Sequence, residues 1–405
     1  MSWSTLPRAR QWAVALCALS FTGFSTWELT RPAYTPLMDL SGVFTDHFSH
    51  LNAARVFTRF GLEVWRKPLT SLLPRPTKEQ ADNLPPDVFY CSDCVFLMPG
   101  WDKPVLQSWP QVVRFYPPGD MVLTAPLAAL YHFTPLSATA TNRLLLVLIL
   151  ACAHLGLLVL LDSLLQAPEA LRWHVLLPIY LGANAILHWS LEGFYDVAMI
   201  APLLLCWRAL ANRRGLAASV WFCAASFLHF RAYYYVPWAI AAAVLVLREK
   251  QWRAWTRLDW TAAAAGALMG ASSLGSYFLA LRGLLDFNTY LSPLVITKDH
   301  VDRPMLVLAL LVALAAVAAF AAARSWLDVL MVPWLALVLT TVRQTMPWYM
   351  LALVPWLCSL PRPGHPERAP LVFDARVLIF LFLAVIHYDP RFGIDGAPIW
   401  LSRLF

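Results

Sequence analysis

Long apolar runs separated by short polar turns make up most of this chain. A helix needs about 20 mostly apolar residues to cross the hydrocarbon core of a bilayer. The pattern therefore predicts an all-α polytopic membrane protein with about eleven transmembrane helices. The predicted spans are Gln11–Leu29, Arg143–Leu165, Val175–Leu191, Val197–Leu210, Leu216–Phe230, Val236–Leu247, Trp260–Leu281, Met305–Ala323, Trp326–Val342, Trp348–Leu360 and Leu371–Ile386.

One further apolar stretch, Asp120–Phe133, is too short to cross. Its roughly 14 residues make a helix of roughly 21 Å, less than the ~30 Å core. The positive-inside rule, which places basic turns in the cytoplasm, also indicates that this stretch does not cross. Only then do the basic turns at Arg213–Arg214 and Arg248–Arg257 lie on the same side of the membrane as Arg8 and Arg10. We therefore expect a juxtamembrane or re-entrant helix on the outer side, with the N-terminus inside and the C-terminus outside.

This topology predicts a single integral-membrane domain, residues 1–405, with an unusually long first outer loop. Residues 30–142 form the extracytoplasmic loop with its juxtamembrane or re-entrant helices, 143–386 the transmembrane helix bundle, and 387–405 an extracytoplasmic tail. A loop of about 110 residues is too long for a simple connector. The polar residues with candidate chemistry collect on the outer face, while the inner turns hold mainly basic residues.

Composition supports the membrane interpretation. The chain is 59% hydrophobic and 14% charged, whereas soluble domains are about 45–50% apolar and about 25% charged. The net charge of +7 is scattered between apolar runs, which favours contact with anionic lipid and argues against nucleic acid. No phosphate-binding glycine loop, Gly-x-Ser-x-Gly elbow or His-Glu-x-x-His pair occurs in the sequence.

Two of the seven cysteines, Cys91 and Cys94, lie close together in the long outer loop. A structural zinc site would need a second ligand pair. On the outer side of a membrane, a short-loop disulfide is the expected state. The other five are isolated in apolar runs and are expected to pack as small hydrophobic residues.

Acidic residues stand at two places on the predicted outer face. Asp46 and His47 begin an amphipathic helix just after the first span. They suit a reaction between a lipid-borne group and a water-side acceptor, or else belong to an ordinary juxtamembrane helix. Asp196 lies at the corner between two spans, where a carboxylate is costly unless paired or hydrated. The alternative is an acid that stabilises a helix N-terminus.

Cations beside aromatic residues occur at two further span ends. His229 and Arg231 precede Tyr233–Tyr235, and Arg343 precedes Trp348 and Tyr349. An arginine facing a cavity can hold a phosphate through two hydrogen bonds. The alternative is a snorkelling arginine next to an aromatic belt.

Taken in order, these features resemble the C-type glycosyltransferases (GT-C superfamily), which are integral-membrane enzymes that use polyprenyl-phosphate sugars. The acid after the first span is Asp46, in a phrase with His50, Ala53, Ala54 and Gly61. Tyr116-Pro117-Pro118 precedes the short helix, Gly193-Phe194-Tyr195-Asp196 resembles a Gly-Gln-Tyr-Asp corner, and Arg343 with Pro347-Trp348-Tyr349 resembles a late donor-side turn. The likeness covers residues 1 to about 360 and is nearest to bacterial users of polyprenyl-phosphate mannose or arabinose.

The resemblance implies transfer of a mannose-like or pentose sugar to a hydroxyl of a lipid, glycan or protein, on the extracytoplasmic face of the cell membrane. It implies Asp46 as general base, with His47 assisting. Arg231 and Arg343 would stabilise the leaving phosphate. Further substrate-binding candidates are Asp196, for acceptor or donor hydroxyls, and His229, Tyr349, Tyr116 and His50. We expect Asp46, Asp196, Arg231 and Arg343 to converge on one water-facing hollow at the rim of the bilayer. Asp46-His47 replaces the family's usual paired acids, so the need for Mg²⁺ or Mn²⁺ stays open, and Phe194 replaces glutamine.

Two other interpretations remain. A polytopic transporter or lipid-linked-sugar flippase predicts ionisable residues near mid-span and broken helices in paired positions. Few ionisable residues are central here, and the sequence has no convincing repeat. A non-catalytic membrane scaffold would not need so long an outer loop.

Overall fold

The structure is a computed structural model, and it describes the chain in separate ranges. These are residues 11, 12, 15, 19, 23, 60–65, 95–96, 105–106, 117–134, 138–166, 179–183, 185–186, 194–285, 331, 334, 351–359 and 377. Several predicted site residues lie outside them, together with the cysteine pair: Asp46, His47, His50, Cys91, Cys94, Tyr116, Arg343 and Tyr349. Asp196, His229 and Arg231 lie inside the longest described range.

Helices make up nearly all of the described part. The α-helices are α1 (Pro118–Phe133), α2 (Ala138–Gln166), α3 (Ile200–Ala211), α4 (Gly215–Leu228), α5 (Val236–Arg248), α6 (Arg257–Leu285) and α7 (Val354–Leu357). Short 3-10 turns cover Gly61–Trp65, Phe194–Met199, Phe230–Tyr235 and Gln251–Ala254. A two-residue antiparallel pair, β1 (Val95–Phe96) with β2 (Val105–Leu106), lies in the long loop and was not predicted.

The helical fold class is as predicted, and most helix bounds in the described part fall within a few residues of the apolar runs. The short helix predicted at Asp120–Phe133 is α1, which begins two residues earlier at Pro118. Proline suits this position, because a helix's first turn needs no donor from its backbone nitrogen. The re-entrant placement of α1 in a bilayer stays a prediction.

Two helical stretches of the described part are long and apolar enough to cross a membrane. They are Phe230–Arg248, with 19 residues, and Arg257–Leu279, with 23 residues. The first contains the predicted span Val236–Leu247 and also the turn before it, and the second overlaps the predicted span Trp260–Leu281. The total of about eleven spans stays a prediction, because many of the predicted segments lie mostly outside the described residues.

Helices α3 to α6 run in alternating directions, so the turns between them lie at two opposite ends of the group. α4 packs against α3, α5 and α6. Glycines allow close approach: a Cβ on Gly266 of α6 would lie 3.2 Å from Val220 of α4, and one on Gly270 would lie 3.0 Å from the Cys223 sulfur. One end of the group carries Asp196 and Phe230–Tyr235, and the opposite end carries the basic turns.

These basic turns form what we call the basic corner: Arg213, Arg214, Arg248, Lys250, Arg253 and Arg257, on the turns that join α3 to α4 and α5 to α6. Gln251 links the two turns. Its side chain donates to the Arg213 carbonyl oxygen at 2.8 Å and accepts from the Gly215 N–H at 3.1 Å. Arg213 also forms an ion pair with Glu249.

The Glu249 carboxylate makes the stability of the basic corner depend on pH. Hydrogen bonds from Gln251 and Arg213 lower the pKa of Glu249 below its ordinary value of 4.5. The stabilisation that these contacts supply is therefore fully present above the ordinary pKa. It is lost as the pH falls through the lower pKa that Glu249 has in the folded protein. We expect Glu249→Gln to remove this part of the acid destabilisation, measured as thermal midpoint against pH in detergent. An unchanged acid profile would contradict this assignment.

Candidate functional site

Asp196, His229 and Arg231 stand on two non-α-helical turns that meet at one end of the helix group. Asp196 lies in the 3-10 turn Phe194–Met199, which leads into α3. α4 ends at Leu228, its C-cap residue His229 has an extended backbone (φ −151°, ψ 135°), and Arg231 follows in the next 3-10 turn. Pro237 at the start of α5 ends this turn, since proline favours a helix's first positions.

The three side chains form a buried cluster, which we call the Asp196 cluster. Arg231 Nη1 donates to Asp196 Oδ2, and His229 Nδ1 lies 3.5 Å from Asp196 Oδ1. The residues are 2% (Asp196), 3% (His229) and 7% (Arg231) exposed. Burial of the guanidinium rules out the snorkelling alternative for Arg231, because a snorkelling head group reaches water.

The His229 ring contacts both Phe230 and Arg231. Its Nδ1 accepts a hydrogen bond from the Arg231 backbone N–H at 3.2 Å. With Nδ1 as acceptor, the proton of the neutral ring is on Nε2. The ring stacks on Phe230 with centroids 4.7 Å apart, and the Arg231 guanidinium lies 5.5 Å from the same Phe230 ring. The local sequence His-Phe-Arg thus places imidazole and guanidinium around one aromatic ring.

Neighbouring elements fix the turn that carries Arg231. The Tyr233 hydroxyl is 2.8 Å from Ser273 Oγ, and Ser273 Oγ donates to the Ser226 carbonyl oxygen at 2.6 Å. Tyr235 donates to the Ala352 carbonyl oxygen at 2.6 Å and accepts from the Trp356 N–H at 3.0 Å. Hydrogen bonds to α6 and to the segment around α7 therefore hold this turn from two sides. Support of this kind is what a preorganised functional site needs.

A buried charge is costly unless it is paired and hydrogen-bonded. Asp196 and Arg231 each supply the other's partner, so the pair can be retained in an apolar interior. The Asp196–Arg231 pair is thus a buried ion pair at one end of the helix group.

Asp120 is a buried acid that was not among the predicted site residues. It is fully buried in the first turn of α1. The preceding residue, Gly119, packs so tightly that a Cβ there would lie 2.4 Å from the Phe227 carbonyl oxygen. Phe227 is two residues before His229, so Asp120 stands on the helix end that packs beside the Asp196 cluster. The acid directly after Pro117-Pro118-Gly119 was the signal in the sequence.

The structure brings together Asp196, His229 and Arg231, which are 35 residues apart at most. Their predicted convergence with Asp46 and Arg343 falls outside the described residues and stays a prediction. Within the described ranges, no group of three or more His, Cys, Asp and Glu side chains is arranged to hold a metal ion. Comparison with protein-family models, curated proteins and solved structures found no match to this chain.

Proposed function

We propose that this chain is a polytopic membrane glycosyltransferase with about eleven spans. It moves a mannose-like or pentose sugar from a polyprenyl-phosphate donor to a hydroxyl acceptor on the extracytoplasmic face. One observation carries the proposal: the buried Asp196–Arg231 pair lies at the end of the helices opposite the basic corner. The positive-inside rule assigns the basic corner to the cytoplasm, which puts the Asp196 cluster at the extracytoplasmic end.

The chemistry assigns a different task to each residue. The acceptor hydroxyl loses its proton to Asp46 while its oxygen forms a bond to the anomeric carbon. The bond from that carbon to the phosphate oxygen breaks, and the phosphate leaves with the electron pair. Arg231 and Arg343 stabilise the charge that develops on this oxygen. Asp196 is a positioning residue, because it holds the Arg231 guanidinium, and His229 supports the same turn.

The direct test incubates purified protein with radiolabelled polyprenyl-phosphate sugars and total membrane lipid or glycan, with and without Mg²⁺ or Mn²⁺. We expect release of polyprenyl phosphate and a labelled product from at least one donor. Asp46→Asn and Asp196→Asn should each remove turnover, the first through loss of the base and the second through loss of orientation of Arg231.

A matched control uses a second acid paired with an arginine, far from the proposed site. Asp162 of α2 forms an ion pair with Arg208 in the last turn of α3, toward the basic corner, and their side chains are 46% and 35% exposed. Asp162→Asn should keep turnover. Absence of product from every donor, or normal turnover in Asp46→Asn, would contradict the proposal. Movement of intact lipid-linked sugar across vesicles without release of polyprenyl phosphate would favour a transporter.

A further inference from the structure

The basic corner has more positive charge than its own carboxylates neutralise. Six cations share the region with Glu249 and Asp259. Glu249 is held by Arg213 and Gln251, and Asp259 accepts hydrogen bonds from the Thr256 N–H and hydroxyl. The other five cations are exposed, and none forms an ion pair within the described ranges: Arg214, Arg248, Lys250, Arg253 and Arg257.

Backbone strain occurs at the same place. Arg213 (φ 56°) and Lys250 (φ 52°) are the two non-glycine residues with positive φ in the described part, and both belong to the basic corner. Each stands just after the last residues of a helix, and the Arg213 N–H closes the end of α3 by donating to the Leu210 carbonyl oxygen at 2.9 Å. Glycine is the usual residue there, because a side chain raises the energy of this conformation. Two cations occupy positions where glycine would be less strained.

Apolar surface begins within a turn of these cations. Leu247, Leu258 and Trp260 are exposed, Leu258 at 77%. Trp252 and Trp255 lie on the same turn, and Trp255 packs edge-on against Trp260 with centroids 4.7 Å apart. Aromatic and cationic side chains with apolar helices beyond them are typical of the level where hydrocarbon meets lipid headgroups. A nucleic acid offers no apolar layer to cover such a surface.

We propose that the basic corner is a binding surface for the phosphate headgroups of anionic lipids in the leaflet opposite the Asp196 cluster. Arg214, Lys250 and Arg253 contact the phosphates, while the links through Gln251 hold the two turns at a fixed spacing. This inference rests on the membrane placement in the proposed function but does not depend on sugar transfer. It concerns a second surface, at the other end of the helices.

The test measures lipid binding to the full chain in detergent by native mass spectrometry, with phosphatidylglycerol and phosphatidylcholine as probes. We expect the unmodified protein to retain phosphatidylglycerol in preference to phosphatidylcholine, and to lose this preference in high salt. R214Q/K250Q/R253Q should bind phosphatidylglycerol at least about tenfold more weakly, since each cation near an anionic headgroup contributes severalfold to affinity. R214K/K250R/R253K keeps the charge and should bind as the unmodified protein does.

Lys250→Gly provides a second readout, because it relieves the backbone strain at this positive φ and also removes a cation. We expect a higher thermal midpoint together with weaker phosphatidylglycerol binding. Equal binding by the glutamine triple variant and the unmodified protein would overturn the inference, as would competition by free inorganic phosphate at the lipid's concentration. Either result leaves the sugar-transfer assay unaffected, so the two proposals fail separately.

Discussion

Asp196→Leu alone is expected to destabilise the protein strongly, whereas Asp196→Leu with Arg231→Met restores most of the stability without restoring sugar transfer. The single change leaves the Arg231 guanidinium buried without its carboxylate, which costs about 3–5 kcal/mol. The double change replaces the pair by apolar side chains of similar size, and such replacements are often neutral or stabilising. Loss of the oriented cation should lower kcat by at least about a hundredfold. Thermal unfolding and donor turnover, measured on the same detergent preparations, separate the two effects.

The matched control applies the same double change to the partly exposed Asp162–Arg208 pair. Asp162→Leu with Arg208→Met should change stability by about 1 kcal/mol or less, because exposed ion pairs contribute little. Turnover should stay near that of the unmodified protein. A stable Asp196→Leu/Arg231→Met protein with normal turnover would show that the buried pair serves the fold alone.

Gly119→Ala is expected to separate α1 from α4. A Cβ at this position would lie 2.4 Å from the Phe227 carbonyl oxygen and 2.5 Å from its ring carbon Cδ1. Because one of these atoms belongs to the backbone, the helices themselves must move, and overpacking of this kind costs about 1–3 kcal/mol or more. The shift would also displace Asp120 and the turn at His229, so turnover should fall together with the thermal midpoint.

Gly275→Ala serves as the matched control for Gly119→Ala. Gly275 lies within α6, and nothing stands within 4 Å of a Cβ built there. Alanine in the interior of a helix is favoured over glycine by about 1 kcal/mol, so this variant should be slightly more stable and fully active. Adding Phe227→Ala to Gly119→Ala leaves the contact with the carbonyl oxygen in place. Full rescue by that double variant would contradict the backbone origin of the effect.

Apolar run length was sufficient to predict the helices in the described part. The run Val236–Leu247 and helix α5 differ by one residue at one end, because a basic turn ends both. The short α1 was predicted from its length and the prolines before it. The two-residue ladder of β1 and β2 was missed, since strands this short carry no readable alternation of apolar and polar residues.

Asp196 and Arg231 were predicted to lie close together, but their direct ion pair was not predicted. Asp196 and Arg231 were named for separate tasks, a hydroxyl contact and a phosphate contact, whereas the structure pairs them. Pairing across 35 residues depends on how α3 and α4 return to the same end, and one sequence carries no record of that. Burial of Asp120 depends likewise on α1 packing against α4. Asp196 and Arg231 could therefore be named as site candidates from the sequence, whereas their ion pair could not.

The Tyr235 hydroxyl joins the turn that carries Arg231 to the segment 351–359 through two hydrogen bonds. One oxygen donates to the Ala352 carbonyl and accepts from the Trp356 amide, and both hydrogen bonds are buried. The Arg231 turn and the segment 351–359 can therefore separate only if both hydrogen bonds break together. For the proposed glycosyltransferase, this predicts that a lipid-linked sugar approaches the Asp196 cluster from a side other than the one that segment 351–359 covers.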